Sequence, residues 1–591
     1  MKREQQQGPK QLPMVGWFDP GQLMQTAVQV FVSTIFGRHA DHRLIEAVTQ
    51  AHETERPARY PAEGDDPEEF WFDYTADVGD GWNSTYAVAF WISREQLDLR
   101  DGSGSVHRTR RGRFLVLGGD EVYPTASRRA YEERLRAPYE TALRKATPSP
   151  HVFAIPGNHD WYDSLASFSR FFMGGKNLGA WQTRQRRSYF AIHLPHRWWL
   201  LGIDVQLGSD VDVMQERYFR DVALRHIKAG DRIILCTAEP EWVNEKIYAN
   251  IDEAYAESTL RHFERTVLKP HHVSVFVAGD LHHYRRHEEV CRDGKPPRQK
   301  ITAGGGGAFL HPTHNAGVDK LTAGGRTYTR ECAYPDENLS TRLCFGNLLF
   351  PLRNLKFIGL AGMVYLFTAL SMRMEIPPPD ADWTWAAKKT CWQYFESASF
   401  TFWVVSLLGG FVMFTDTHSR LYRWAGGLLH GCTHLLATFV LGWSTLFAAR
   451  ALGAPMAGFG RLIGWYVLPA VWIFLAGGVI GSFIFGLYLL VSLNVFGRHA
   501  NEAFSALAIE DWKNFLRFRL TADELTIYPV GIDRVPRNWK EQDGVLVPDD
   551  DKAAGPRIIE SRPIIIPWGP AADEQHPGHH SVSEDKGEDL S

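Results

Sequence analysis

Cysteine is scarce in this chain. There are six in 591 residues, Cys236, Cys291, Cys332, Cys344, Cys391 and Cys432, and no C-x-x-C among them. Thiols scattered in this way exclude a zinc knuckle and a disulfide scaffold, and they suit a reducing compartment. An excess of positive charge is missing too: 64 Lys and Arg stand against 68 Asp and Glu, a formal net charge of -4. No nucleic acid is therefore expected as a partner. The N-terminus lacks the compact apolar core of a cleavable signal, because Gln25, Gln29, Ser33 and Thr34 interrupt the stretch from Leu23 to Phe36. Charge is almost absent from four later stretches, 355–372, 398–415, 425–449 and 462–495, with Lys356 at the edge of the first. Each is long enough, or nearly so, to cross a hydrocarbon layer of roughly 30 Å.

At this length two or more domains are expected. From about residue 60 to 350, short apolar runs (FLVLGGD, HVFAIPGNHD, WWLLGIDV, RIILCTAEP, VSVFVAGDLHH) end abruptly in Gly, Asp, His or Pro and alternate with helical-looking segments such as ASRRAYEERLRAPYETALRKA. Buried strands alternating with helices predict an α/β layered domain with functional groups just beyond the strand ends. The partition that follows is a helical segment over 1–60, the α/β domain over 61–350, and a transmembrane region over 351–497. A small α+β appendage over 498–569 and a tail over 570–591, too polar to order itself, complete it. Four membrane helices are expected, or five if Pro469 and Gly477-Gly478 kink the last stretch into two. Arg342, Arg353 and Lys356 before the spans and Arg498, Lys513, Arg517 and Arg519 after them favour placing both soluble parts on the cytoplasmic side of an inner membrane. One echo, FGRHAD at 36–41 and FGRHAN at 496–501, ends an apolar stretch on each occasion.

Taken in order, the strand ends carry Asp77-Val78-Gly79, Gly119-Asp120-Glu121-Val122-Tyr123, Gly157-Asn158-His159-Asp160 and Gly279-Asp280-Leu281-His282. As local structure alone, the second is a β-turn and the third a helix cap. As an ordered set the four resemble the calcineurin-like metallophosphoesterases, and the pairing of D-x-G with GDxxY looks most like the purple-acid-phosphatase branch. The resemblance covers roughly residues 65–310. It implies a β-sandwich flanked by helices and a dinuclear site for two divalent or trivalent metal ions, Mn, Fe or Zn. It assigns Asp120 as the bridging carboxylate, Asp77, His282 and Tyr123 as ligands of the first ion, and Asn158 as a ligand of the second, where Asp280 stands in for a missing imidazole. His159 would contact the phosphate and protonate the leaving oxygen, with Asp160 holding its ring. Two ions about 3.5–4 Å apart acidify a water and neutralise the phosphate oxygens, which is what hydrolysis of an anionic ester demands.

The pattern departs from the family in two places. Ala238, before Glu239 and Pro240, stands where an imidazole is usual, and Gly279-Asp280-Leu281-His282 replaces Gly-His-x-His. Asp280 is an oxygen donor in that position, and Glu239 is a second, which biases the site towards harder ions. His283, next to His282, points elsewhere in an extended segment and reads as support for the ligands. The run Gly304, Gly305, Gly306 offers backbone that approaches a phosphate closely, or simply turns; His311 and His314 follow as candidate replacements for a lost imidazole. In the apolar half, His430 and His434 share a helix face and read as an interhelical hydrogen-bonding pair. The expected function is a membrane-anchored metal-dependent phosphoesterase, with a phosphate ester and the lipid bilayer as partners. The alternatives are a non-hydrolytic phosphoryl or nucleotide sensor coupled to the helices, and a transporter with a regulatory soluble domain.

Overall fold

The computed structural model describes residues 10–32, 57–61, 67–205, 211–248, 258–291, 296–314, 317–415, 419–542, 544–549 and 555–568. The polar tail from 570 and the FGRHAD copy at 36–41 lie outside them, and of the 1–60 segment the described part includes one helix, Pro20–Val32.

Two sheets organise the soluble part. In one, Trp198–Gly202, Arg232–Thr237, His272–Ala278 and Gln299–Ala303 run parallel side by side, and Tyr284–Glu289 joins antiparallel. In the other, Phe70–Thr75, Phe114–Leu117 and His151–Ala154 are parallel neighbours. Trp198–Gly202, Phe114–Leu117 and most of Arg232–Thr237 and His272–Ala278 are continuous apolar runs because both of their faces are buried. Phe72, Phe114, Val116 and Phe153 from one sheet and Phe190, Leu200, Ile234 and Val275 from the other belong to a single buried cluster. The opposite faces are covered by helices, Trp82–Ser93 on one side and Val213–Arg225 on the other. Parallel strands of one sheet all end on the same edge, so Asp77, Asp120 and the 157–160 turn are delivered to one place.

The separate appendage expected over 498–569 is not what the structure shows. Lys513–Leu520 is a strand that pairs antiparallel with Phe70–Thr75, Leu516 opposite Tyr74 and Leu520 opposite Phe70, while Glu524–Ile532 extends the same sheet. Arg517 ties the pairing down through a buried ion pair with Asp73 (2.7 Å) and further bonds to the Ile92 carbonyl and the Thr109 hydroxyl. Charge buried with every hydrogen bond satisfied holds a register that a one-residue slip would destroy.

Among the described residues two helices are long and apolar enough to cross a membrane, Arg420–Ala451 and the continuous Gly458–Phe496. Two bent pairs, Glu337–Arg353 with Leu355–Ser371 and Trp383–Glu396 with Ala398–Phe414, raise the number to four if each counts as one span. The fifth span is excluded twice over. The last stretch is not broken at Pro469 or Gly477-Gly478. The chain before and after the helices also shares one sheet, so any crossings must be even in number. Gly477 and Gly481 serve contact rather than a kink, since a Cβ at either would press into the Tyr365 side chain at 2.6–2.7 Å. Small residues at such a seam let helix backbones approach.

Candidate functional site

Three of the strand-end acids share an unusual backbone. Asp77, Asp120 and Asp280 have φ of 56°, 52° and 64°, a left-handed conformation that costs a non-glycine residue free energy and that folds retain at functional sites. Their loops are laced together: the Asp77 N–H donates to the Gly119 carbonyl (2.9 Å) and the Val78 N–H to the Asp120 carbonyl (3.1 Å). Gly157 is required beside them, because a Cβ there would overlap the Asp120 carboxylate.

The result is one buried cluster. The Tyr123 hydroxyl lies 3.0 Å from Asp77 Oδ1, 3.2 Å from Asp120 Oδ2 and 3.0 Å from His282 Nε2. His282 Nδ1 donates to the Phe309 carbonyl (2.7 Å), which assigns the proton to Nδ1 and leaves the Nε2 lone pair facing the cluster. Asp280 closes the other side, its N–H donating to Asp77 Oδ2 at 2.9 Å. Asp77, Asp120, His282 and Tyr123 are thus brought together as the sequence suggested.

Other expected residues sit differently. Asn158 spends its amide N–H on the Tyr162 hydroxyl (3.3 Å). Asp160 does not hold the His159 ring. Its carboxylate accepts from the N–H groups of Gly157 (3.0 Å) and Glu121 (3.2 Å) and from the Tyr131 hydroxyl (2.5 Å), so it clamps the turn. The His159 ring is fixed instead by Nδ1 donating to the Pro124 carbonyl (2.6 Å), and its backbone N–H donates to Asp120 Oδ1 (2.8 Å). The glycine run is not free for a substrate, since the Gly304 N–H donates to the His283 carbonyl and the Gly306 N–H to the Ala76 carbonyl. Glycine is needed there because Cβ atoms would strike Asp77, Asn514 and Ala76. His314 is turned away onto the Ser340 hydroxyl, whereas His311 stacks on His282, centroids 3.8 Å apart at 20°.

Electrostatically the cluster is short of positive charge. Burial, then Asp120 and Asp280, raise the Asp77 carboxyl well above its ordinary range; burial, then Asp160 and Asp280, do the same to Asp120. Asp280 is pushed up to about 8 by burial and next by Glu239. Burial holds His159 down to about 4. The nearest buried cation is Lys513, whose ammonium donates to the Ala308 carbonyl at 2.6 Å and is pulled down to about 8 by burial.

Oxygen-rich, anionic and holding one oriented imidazole, this donor set fits a hard or borderline cation in chemistry. Among the described residues, though, no three His, Cys, Asp or Glu side chains stand ready to hold a metal ion, the Tyr123 hydroxyl being hydrogen-bonded between them. The second ion of the expected pair fares worse. Ala238 brings no side-chain donor, its carbonyl accepting from the Gly279 N–H (3.0 Å); Asn158 bonds Tyr162 through its amide N–H, which leaves out of that bond the oxygen that a cation would take. The donor types suit a cation, and among the described residues neither a one-ion nor a two-ion site is formed.

Sequence reasoning missed three groups here. Asp80 accepts from the N–H groups of Val15 (2.7 Å) and Phe309 (3.2 Å), Lys513 arrives from beyond the helices, and Trp17 packs edge-on to Tyr123 and His159. Only the second acid of DVGD signalled any of them.

No protein-family model and no curated protein matches this chain. Three solved structures are distantly similar. GAP50, the anchor in the inner membrane complex of Plasmodium, is 14% identical with a TM-score of 0.30, over 42% of this chain and 74% of that one. The purple acid phosphatase PPD1 from yellow lupin (Lupinus luteus) seeds is 11% identical with a TM-score of 0.28, over 44% and 48%. PhoD is 11% identical with a TM-score of 0.27, over 42% and 59%. At these scores the residues of the site, and not the likenesses, must carry the functional reading.

Proposed function

We propose that the chain is a metal-dependent phosphoric ester hydrolase whose helices hold it in a membrane. The observation that carries this reading is the meeting of Asp77, Asp120, Tyr123 and His282 around one hydroxyl, on loops where three aspartates accept a strained backbone. Asp77, Asp120, His282 and Tyr123 would hold a divalent or trivalent cation such as Mn, Fe or Zn, which supplies positive charge against the phosphate and acidifies an attacking water. Tyr123 is a phenol as it stands, since burial, then Asp120 and Asp77, raise its hydroxyl well above the ordinary value.

The remaining work falls to His159. With Nδ1–H fixed on the Pro124 carbonyl, Nε2 is the atom that holds or gives up a proton. Its lowered proton affinity keeps the ring neutral, and an anionic phosphoryl group beside the ring would raise that affinity again. Proton delivery to the leaving oxygen is then coupled to substrate binding.

A membrane-associated phosphate ester is the substrate class this reading favours. The site shares a wall with the helix ends: Phe309 lies 4.9 Å from the His282 ring and 5.8 Å from Trp17, and the adjacent Phe18 packs on Phe350, Phe357 and Phe485. The lipid bilayer is the second partner, with both soluble parts on its cytoplasmic face. A non-hydrolytic phosphoryl sensor is the second reading, favoured by Ala238, which stands where a second ion would need a donor.

The full chain, purified in detergent, stripped of metal and reloaded with Mn, Fe, Zn or Mg, tests both on chromogenic phosphomono- and diesters. Metal-dependent turnover that Asp120→Asn and His159→Ala abolish supports the hydrolase. Orthophosphate binding without turnover under every metal supports the sensor and overturns the hydrolase.

A further inference from the structure

The described N-terminal segment, outside every motif discussed so far, crosses the candidate site as a strap. The Leu12 carbonyl accepts from the Trp82 N–H (2.9 Å), and the Pro13 carbonyl accepts from Arg134 (3.4 Å). Asp80, buried, takes the Val15 N–H on one oxygen and the Phe309 N–H on the other. A tight turn follows, Trp17 N–H to the Val15 carbonyl (3.0 Å) and Asp19 N–H to the Gly16 carbonyl (2.9 Å). Beyond it Phe18 enters the aromatic cluster at the helix ends and Asp19 pairs with Lys356. The strap is thus bound on both sides of Trp17.

That fixes the Trp17 ring among three others, with centroids 5.9 Å from His159, 6.4 Å from Tyr123 and 5.8 Å from Phe309, all near-perpendicular. Its indole N–H is buried and has no hydrogen-bond partner. An orphaned donor destabilises a folded protein, and indole is a donor only, so an acceptor supplied by a bound ligand would relieve it.

We propose that Trp17 is a substrate-binding residue of this site, its indole N–H donating to a phosphoryl oxygen of the bound ester. This rests on the phosphoesterase reading given above. The chemistry is complementary, since a phosphoryl group offers several anionic acceptors and a hydrogen bond to a charged oxygen is stronger than a neutral one. Because Phe18, the next residue, is seated on the helix ends, the strap also ties the substrate contact to the membrane part.

The test is Trp17→Phe in the full chain, which keeps an aromatic ring and removes the donor. The expected result is a KM for a chromogenic phosphomonoester raised about tenfold, kcat within about twofold, and inhibition by orthophosphate weakened to the same extent. Trp17→His, which restores a ring N–H, recovers part of that affinity, and it remains a test if the Phe variant melts early. KM and orthophosphate inhibition at wild-type values in Trp17→Phe, with wild-type turnover intact, overturn the role of Trp17 and leave the hydrolase standing. A wild-type protein that neither hydrolyses phosphate esters nor binds orthophosphate under any metal overturns the hydrolase, and this proposal falls with it.

Discussion

Two buried polar clusters in this molecule are built on opposite terms. At the strand ends, Asp77, Asp120 and Asp280 crowd together with no Lys or Arg among the described residues paired to them. In the helix bundle, His430 and His434 meet through their Nε2 atoms (3.1 Å), and the Tyr365 hydroxyl bonds His434 Nδ1 (3.0 Å). Phe411 and Tyr488 stack on the rings. In the bundle three of the four ring nitrogens find partners within the fold, and His430 Nδ1 alone is left without one. The strand-end cluster stores repulsion and strained backbone, a state folds keep where something must bind. A buried polar group by itself therefore says little; whether its demands are met inside the protein says more.

The comparison is broken most directly by activity. His159→Ala should lower kcat by about 10²–10⁴-fold, while His434→Ala leaves the rate per folded molecule unchanged; a matching loss in both would erase the distinction. Asp160→Asn, at the clamp of the 157–160 turn, should act through thermal stability instead of through the pH profile of turnover.

A third buried cluster sharpens the contrast by being charged yet satisfied. Arg517→Met strands Asp73 in the sheet and should cost about 3–5 kcal/mol in chemical denaturation. A change below about 1 kcal/mol would mean that the pairing of Lys513–Leu520 with Phe70–Thr75 does not depend on the ion pair.

Next in size is pH. Asp280, pushed up to about 8, binds its proton more tightly folded than unfolded. Its contribution is therefore fully present below the ordinary carboxylate range and is lost as pH rises through about 8. Metal-free protein should melt progressively earlier between about pH 5 and pH 9, and Asp280→Asn should flatten that slope. An unchanged slope in the variant would show that the strand-end acids are not under the strain described. The smallest effect lies in the bundle, where Tyr365→Phe should cost about 0.6 kcal/mol with turnover intact.

Much of the site was legible because its residues are local to strand ends: Asp77, Asp120, Tyr123 and His282 announce themselves by type, order and spacing. Asp160 misled because its motif position says nothing of which donor its carboxylate meets, and here three donors of its own turn and of Tyr131 outcompete the His159 ring. Gly304 to Gly306 misled in the same way, being small to admit neighbouring chain and not to receive a phosphate.

By itself, the sequence determined what depends on nearest neighbours and on period: the apolar strands and their abrupt ends, the charge-free helices, and the acids at the strand ends. Only the tertiary structure decided what depends on chain returning from far away. It paired Lys513–Leu520 with Phe70–Thr75, required any membrane crossings to be even in number, and laid Trp17 against His159. No local pattern encodes these contacts, because their partners are separated by tens to hundreds of residues and their stability comes from burial and hydrogen bonds made only when the whole sheet closes.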